Sequence, residues 1–241
     1  MKAPKYFLEQ TAFICPAQRH WVILDVRGDR YLSIDRQQFE ALGPLLYGWC
    51  SDDDSTAADP GFVSPQAMEL AAGLLARGIL SERADSGKPV TPVESTAPRS
   101  AIESQDCRLG FGLRLVSAPA FLWATARADF RLRRLPLLTL VTKMKRRHNL
   151  ARAIDMSFDW SLADHLTKIF HSLRLVYPRP YLCMYDSLAL LEFFSLHSLF
   201  PTWVFGVSVD PFRAHCWLQQ GDSVIGDSIE RVRSYRPIMC V

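Results

Sequence analysis

Three side chains in the last third of this chain carry the chemistry its sequence offers: Cys183, His215 and Asp227, in the order nucleophile, base, orienter. A cysteine attacks as thiolate rather than thiol, and an imidazole takes up a proton near neutral pH. A carboxylate beside the imidazole fixes its tautomer and stabilises its charged form. The surroundings of Cys183 favour the thiolate. Pro178 and Pro180 impose extended backbone just before it, and the run after it is helical, with Leu188, Leu191, Phe194 and Ser195 recurring on one face. Cys183 is therefore expected at or near a helix N-terminus, where unpaired amides and the positive end of the helix dipole favour negative sulfur. The same amides can donate to a developing oxyanion, the N–H of Cys183 first among them.

The partners need strands. Residues 202–209 (TWVFGVSV) read as one, Pro211 marks a turn, residues 214–218 (AHCWL) read as a second, and residues 223–226 as a third after the turn Gln220-Gly221-Asp222. Antiparallel neighbours joined by a tight turn bring His215 and Asp227 alongside one another, with the helix packed so that its cysteine faces the imidazole. Cys216, the next residue on its strand, points away from His215 by the two-residue alternation and reads as packing. On residue types alone, an inert core cysteine and a packed histidine stand beside the catalytic reading.

Upstream elements follow from pattern. Residues 7–15 and 20–26 read as strands, Arg27-Gly28-Asp29 as a hairpin turn in which glycine supplies backbone freedom, and residues 30–34 as a third strand. Asp35 caps a helix carrying Phe39, Leu42, Leu45 and Leu46. Residues 51–60 form a solvated loop. Ser64 caps a second helix with Pro65 at its first position and Gly78 past its end, its apolar face being Met68, Leu70 to Ala72, Leu74 and Leu75. These strands followed by helices describe a small winged-helix-like unit, residues 1–83. Residues 84–108, rich in Pro, Ser and Thr, read as a linker, and residues 109–241 as a second domain. Within that domain, Pro119 opens a helical run whose Phe121, Leu122, Trp123 and Phe130 face a core, and Pro136 interrupts it. Residues 155–175 form a further helix lined by Phe158, Leu162, Leu166, Ile169 and Leu173, with His165 and His171 as ordinary surface or half-buried residues.

Composition bounds the function. At 241 residues, 49% hydrophobic and 22% charged, the chain folds with a real core. A net charge of +3 implies no polyanionic partner by itself. Residues 127–147 collect eight Lys/Arg against Asp129, either a patch for an acidic partner or the solvated face of amphipathic helices. Aromatics are not interleaved among the later basic residues, so no nucleic-acid partner is expected. The six cysteines are scattered, and the start lacks a secretory signal. Free thiols, a cytoplasmic location and no metal site are expected. Residues 188–209 approach the length of a membrane span. Glu192, His197 and Pro201 interrupt them, so a buried helix then a buried strand is expected, with no stable membrane insertion.

The pattern C-x3-SLALL, then GV-x3-PF-x-AH-x-W, then a turn and an aspartate resembles the B proteins of lasso-peptide maturation, whose C-terminal half is transglutaminase-like. The matching residues are Cys183, Ser187-Leu188-Ala189-Leu190, Gly206-Val207, Pro211-Phe212, Ala214-His215, Trp217 and Asp227, with Tyr235-Arg236-Pro237-Ile238 similar to the family's tail. Cys216 departs from it, standing where relatives often have a small residue. The resemblance implies an α+β chain with an N-terminal winged-helix-like recognition domain and a transglutaminase-like or papain-like domain of helices and antiparallel sheet. It implies a cysteine peptidase without cofactor that removes the leader of a precursor peptide, Cys183, His215 and Asp227 being catalytic. A separate asparagine-synthetase-like cyclase would close the ring. It also implies that the leader adds as a strand along Arg30, Tyr31, Leu32, Ser33 and Ile34, with the helix at residues 66–76 as groove wall. An acyl transferase of the transglutaminase type and a non-catalytic leader-binding adaptor are the alternatives.

Overall fold

The structure, a computed structural model, describes residues 6–49, 64–102, 110–153 and 157–241. The loop expected at residues 51–60 lies outside them. The chain divides into two compact units, Met1–Glu94 with Val209–Phe212, and Ser95–Ser208 with Arg213–Val241.

The first unit has strands β1 (Phe7–Glu9), β2 (Ala12–Ala17), β3 (His20–Asp25) and β4 (Arg30–Asp35), helices α1 (Arg36–Glu40) and α2 (Pro65–Ala76), and short strands β5 (Leu80–Ser81) and β6 (Gly87–Lys88). Antiparallel β2-β3-β4 form one sheet and β5-β1-β6 another. The single strand expected at residues 7–15 is thus two, broken by the turn at Gln10 and Thr11, and its halves join different sheets. The hairpin falls as expected, pairing Asp25 with Arg30, but for another reason. The left-handed residue is Asp29 (φ 48°), whereas Gly28 is needed for space, since a Cβ there would lie 2.4 Å from Asp25 Oδ2. Asp35 Oδ1 accepts the Gln37 N–H (2.9 Å), and Ser64 Oγ accepts the Ala67 N–H (3.1 Å), so both caps form. Helix α2 turns Ala67, Ala71 and Leu74 inward and leaves Met68 42% exposed, so its buried stripe is rotated from the expected one.

The described part of residues 84–108 is not a free tether. Gly87 and Lys88 pair with β1, and Val90 is buried in the first unit's core, donating its N–H to Tyr47 O at 2.8 Å. Ser100–Ile102, strand β7, adds to the second unit's sheet. An extended, proline-rich chain still offers main-chain groups to a sheet edge, which composition does not reveal.

The second unit holds α3 (Phe111–Arg134), α4 (Leu137–Ala153), α5 (Trp160–Arg174), α6 (Cys183–Ser195), β8 (Thr202–Val209) and β9 (Phe212–Gln220) apart from their end residues Val209 and Phe212, β10 (Ser223–Ile225), α7 (Ile229–Arg233) and β11 (Arg236–Cys240). The sheet order is β11-β8-β9-β10-β7, antiparallel except for β7 on β10. Helix α6 is the centre of this unit, buried from Ser187 to Phe194 on every side rather than along one face. Pro119 lies inside α3 instead of opening it. Of the residues expected to face the core there, only Phe121 does. Leu122, Trp123 and Phe130 are exposed, whereas the small residues Ala124, Thr125 and Ala128 are fully buried on a helix that packs on α6 and α5, and small side chains allow close approach.

Part of the basic run has a buried purpose. Arg127 Nε and Arg147 Nη1 each lie 3.1 Å from the carboxylate of Glu192, and Arg131 is paired with it too, while Glu192 itself is 0% exposed. Glu192 reads in sequence as an interruption of an apolar run. Packing makes it the anchor of three arginines from two helices. Among the described residues no helix is long and apolar enough to cross a membrane; the apolar run at residues 188–209 is divided between α6 and β8.

Candidate active site

Leu182 is the N-cap of α6 and Cys183 its first residue. The N–H of Cys183 is thus among the amides a helix leaves without an internal partner. Ser187, one turn along, donates its hydroxyl to the Cys183 carbonyl (2.6 Å) and accepts the indole N–H of buried Trp203 (2.9 Å). Leu188 and Ala189 are fully buried. The SLALL motif is therefore the seat of the cysteine.

Strand β9 presents His215 to it. The ring lies between Tyr235 (centroids 5.0 Å apart) and Trp217 (6.0 Å), and the Trp217 N–H is held by Gln219 Oε1 at 3.0 Å. His215 Nε2 is 2.5 Å from Asp227 Oδ2. The other ring nitrogen is left for the Cys183 thiol, with which His215 is hydrogen-bonded. Asp227 follows β10. Its second oxygen accepts the Ser228 N–H (2.8 Å) and faces Arg231 Nη1 (3.2 Å), so the carboxylate cannot turn away. Gly226 delivers it there: φ is 73°, and a Cβ would strike Leu190 of α6 at 2.6 Å.

The structure thus brings Cys183, His215 and Asp227 together, on the wall of a cavity of about 380 Å³. His171 and Arg174 of α5 and Arg231 line the same space. Sequence reasoning assigned none of these to the site. Burial lowers the pKa of His171. Hydrogen bonds from the Cys216 thiol and from His215 outweigh burial and hold the Cys183 thiol at about 4. Burial opposes protonation of His215, yet its hydrogen bonds to Asp227 and Cys183 raise it to about 9. At neutral pH the pair is thiolate and imidazolium, which suits attack on a carbonyl followed by proton donation to a leaving group.

Cys216 reads in sequence as packing turned away from His215; its side chain is buried, and it lines the same cavity as Cys183 and His215. It meets α6, its sulfur 3.4 Å from Ser187 Oγ. The Cys183 sulfur is in hydrogen-bond reach of the Cys216 thiol and the Cys216 N–H as well as of His215. Two adjacent strand residues therefore reach one sulfur. The strand formed by Arg30, Tyr31, Leu32, Ser33 and Ile34 belongs to β4, the outer strand of β2-β3-β4, in the other compact unit.

Residues 122–240 match the family model of the transglutaminase-like superfamily and form a domain of it. The match runs from the second half of α3 to the end of β11 and takes in all three of Cys183, His215 and Asp227. No curated protein and no solved structure matches the chain.

Proposed function

We propose that this protein is a cysteine peptidase that removes the leader from a ribosomally made precursor peptide, in lasso-peptide maturation. The observation that carries the reading is the 2.5 Å contact of His215 with Asp227 beside a helix-N-terminal Cys183 held as thiolate. The thiolate attacks the carbonyl carbon at the leader–core junction, and the Cys183 N–H donates to the oxyanion. His215 gives its proton to the departing amine of the core peptide, leaving the leader as a thioester on Cys183. His215 then takes a proton from water as it attacks the thioester, and Asp227 keeps the imidazole oriented throughout. The freed amine passes to a separate cyclase of the asparagine-synthetase type.

Selection of the substrate belongs in this reading to the first unit. Strand β4 is an outer strand, so an extended leader can add alongside residues 30–34 by main-chain bonds, with alternate side chains supplying specificity. The test is to incubate a precursor with the wild-type and Cys183→Ala proteins, with and without the cyclase, and to weigh the products. Loss of cleavage in the variant supports the assignment, and surviving cleavage removes it. The superfamily match also favours a second reading, acyl transfer to an amine from the same thioester. Aminated or crosslinked rather than hydrolysed peptide in the same experiment selects it.

A further inference from the structure

Cys216 has no part in the hydrolysis just described, yet it is placed with care. It is 4% exposed, and its thiol is in hydrogen-bond contact with that of Cys183. The same sulfur lies 3.4 Å from Ser187 Oγ and 4.0 Å from Met184 Sδ. Both thiols are free. Cys183 is half-buried on the cavity wall, where a small molecule reaches it, and Cys216, on β9, is buried at the same cavity. A thiolate open to solvent with a second thiol in contact is the arrangement that turns an oxidised cysteine into a disulfide before further oxygen is added.

We propose that Cys183 and Cys216 form an oxidative modification site at which a hydroperoxide converts the nucleophile reversibly into a Cys183–Cys216 disulfide. In the first step the Cys183 sulfur attacks the terminal peroxide oxygen. The S–O bond forms as the O–O bond breaks, and the departing oxygen takes the His215 proton and leaves as water or alcohol. In the second, Cys216 attacks that sulfur. The S–S bond forms, the S–O bond breaks, and the hydroxyl leaves with the Cys216 proton as water. The two thiols together lose two electrons, which the peroxide accepts. A dithiol reductant reverses the change by two exchanges and becomes a disulfide itself. The Cys216 thiol is held well above its ordinary pKa, first by its hydrogen bond to Cys183 and then by burial. Oxidation of Cys183 to the neutral sulfenic acid lifts the first restraint at the step that needs Cys216 as attacker.

Arg213 separates the two cysteines, so trypsin places them in the peptides 175–213 and 214–231. The full-length protein is treated with stoichiometric hydrogen peroxide, alkylated, digested and weighed, before and after dithiothreitol. The expected product is the two peptides joined with loss of two hydrogens and separated by the reductant. In Cys216→Ala, and independently in Cys216→Ser, Cys183 instead gains two or more oxygens that the reductant does not remove. If in wild type Cys183 gains oxygens while Cys216 stays open to alkylation after unfolding, the proposal fails. It fails equally if Cys183 is untouched. The readout is the mass of the chain itself, so it stands whichever bond the site cuts.

Discussion

Arg174 Nε lies 2.5 Å from Asp186 Oδ1, and the other oxygen of that carboxylate accepts the N–H of Leu182 at 2.7 Å. The remaining guanidinium N–H groups donate to the carbonyls of Tyr177, Arg179 and Pro180. One arginine, 1% exposed, thereby ties the end of α5 and the turn after it to the residue that begins the cysteine helix. Removing it strands a mostly buried carboxylate and three carbonyls. Arg174→Met is expected to cost about 3–5 kcal/mol of stability in urea unfolding, and turnover per folded molecule should fall as Cys183 loses its register. Arg174→Lys should recover only part of both, because a point charge cannot satisfy a fork of acceptors.

The protonation states predict a broad pH plateau. Cys183, held at about 4 by the Cys216 thiol and His215, must be deprotonated. His215, raised to about 9 against the effect of burial by Asp227 and Cys183, must be protonated to serve the leaving amine. The profile of kcat/KM should therefore fall below about 4, where the thiolate takes a proton, and above about 9, where the imidazolium loses one. Asp227→Asn removes the strongest support of the imidazolium. The alkaline limb should move to lower pH and turnover should drop by roughly 10⁴-fold. An unmoved alkaline limb would detach Asp227 from the titration.

Glu192 is the buried counter-ion on which Arg127, Arg131 and Arg147 converge. Glu192→Ala leaves partly buried guanidiniums facing one another and is expected to lower stability by about 3–5 kcal/mol. The measure is the denaturant midpoint at unchanged slope. A loss below about 1 kcal/mol would mean that water enters the cluster and takes over the role of the carboxylate.

Along β4, main-chain N–H groups point alternately toward β3 and outward. Proline placed at 32 and, in a separate variant, at 33 should divide accordingly. One removes an outward N–H and weakens binding of a fluorescent leader peptide by at least about tenfold while the fold persists, and the other breaks the β3–β4 ladder and destabilises the unit. Unchanged leader affinity in whichever variant remains folded would move the binding site off this edge.

Local signals carried far along this chain. The caps Asp35 and Ser64, the turn before Arg30, the break at Pro136, strand β8 and the start of α6 all follow from side chains acting on their own backbone within a few residues. The order Cys183, His215, Asp227 could be read for the same reason, since a helix start and two tight turns place them. Contacts between elements are not written in this way. Leu122, Trp123 and Phe130 read as core, yet α3 buries its small residues, because how near two helices approach depends on both surfaces at once. Cys216 reads as packing by strand alternation, and only the packing of α6 brings its thiol beside Ser187 and the Cys183 sulfur. Glu192 and Arg174 are single charges in sequence, and their partners come from residues 45 to 65 and 12 positions away. The residues by themselves determined which groups are chemically able to act. Tertiary packing decided which are brought within hydrogen-bond reach, because desolvation and charge pairing depend on neighbours that the chain supplies only once it has folded.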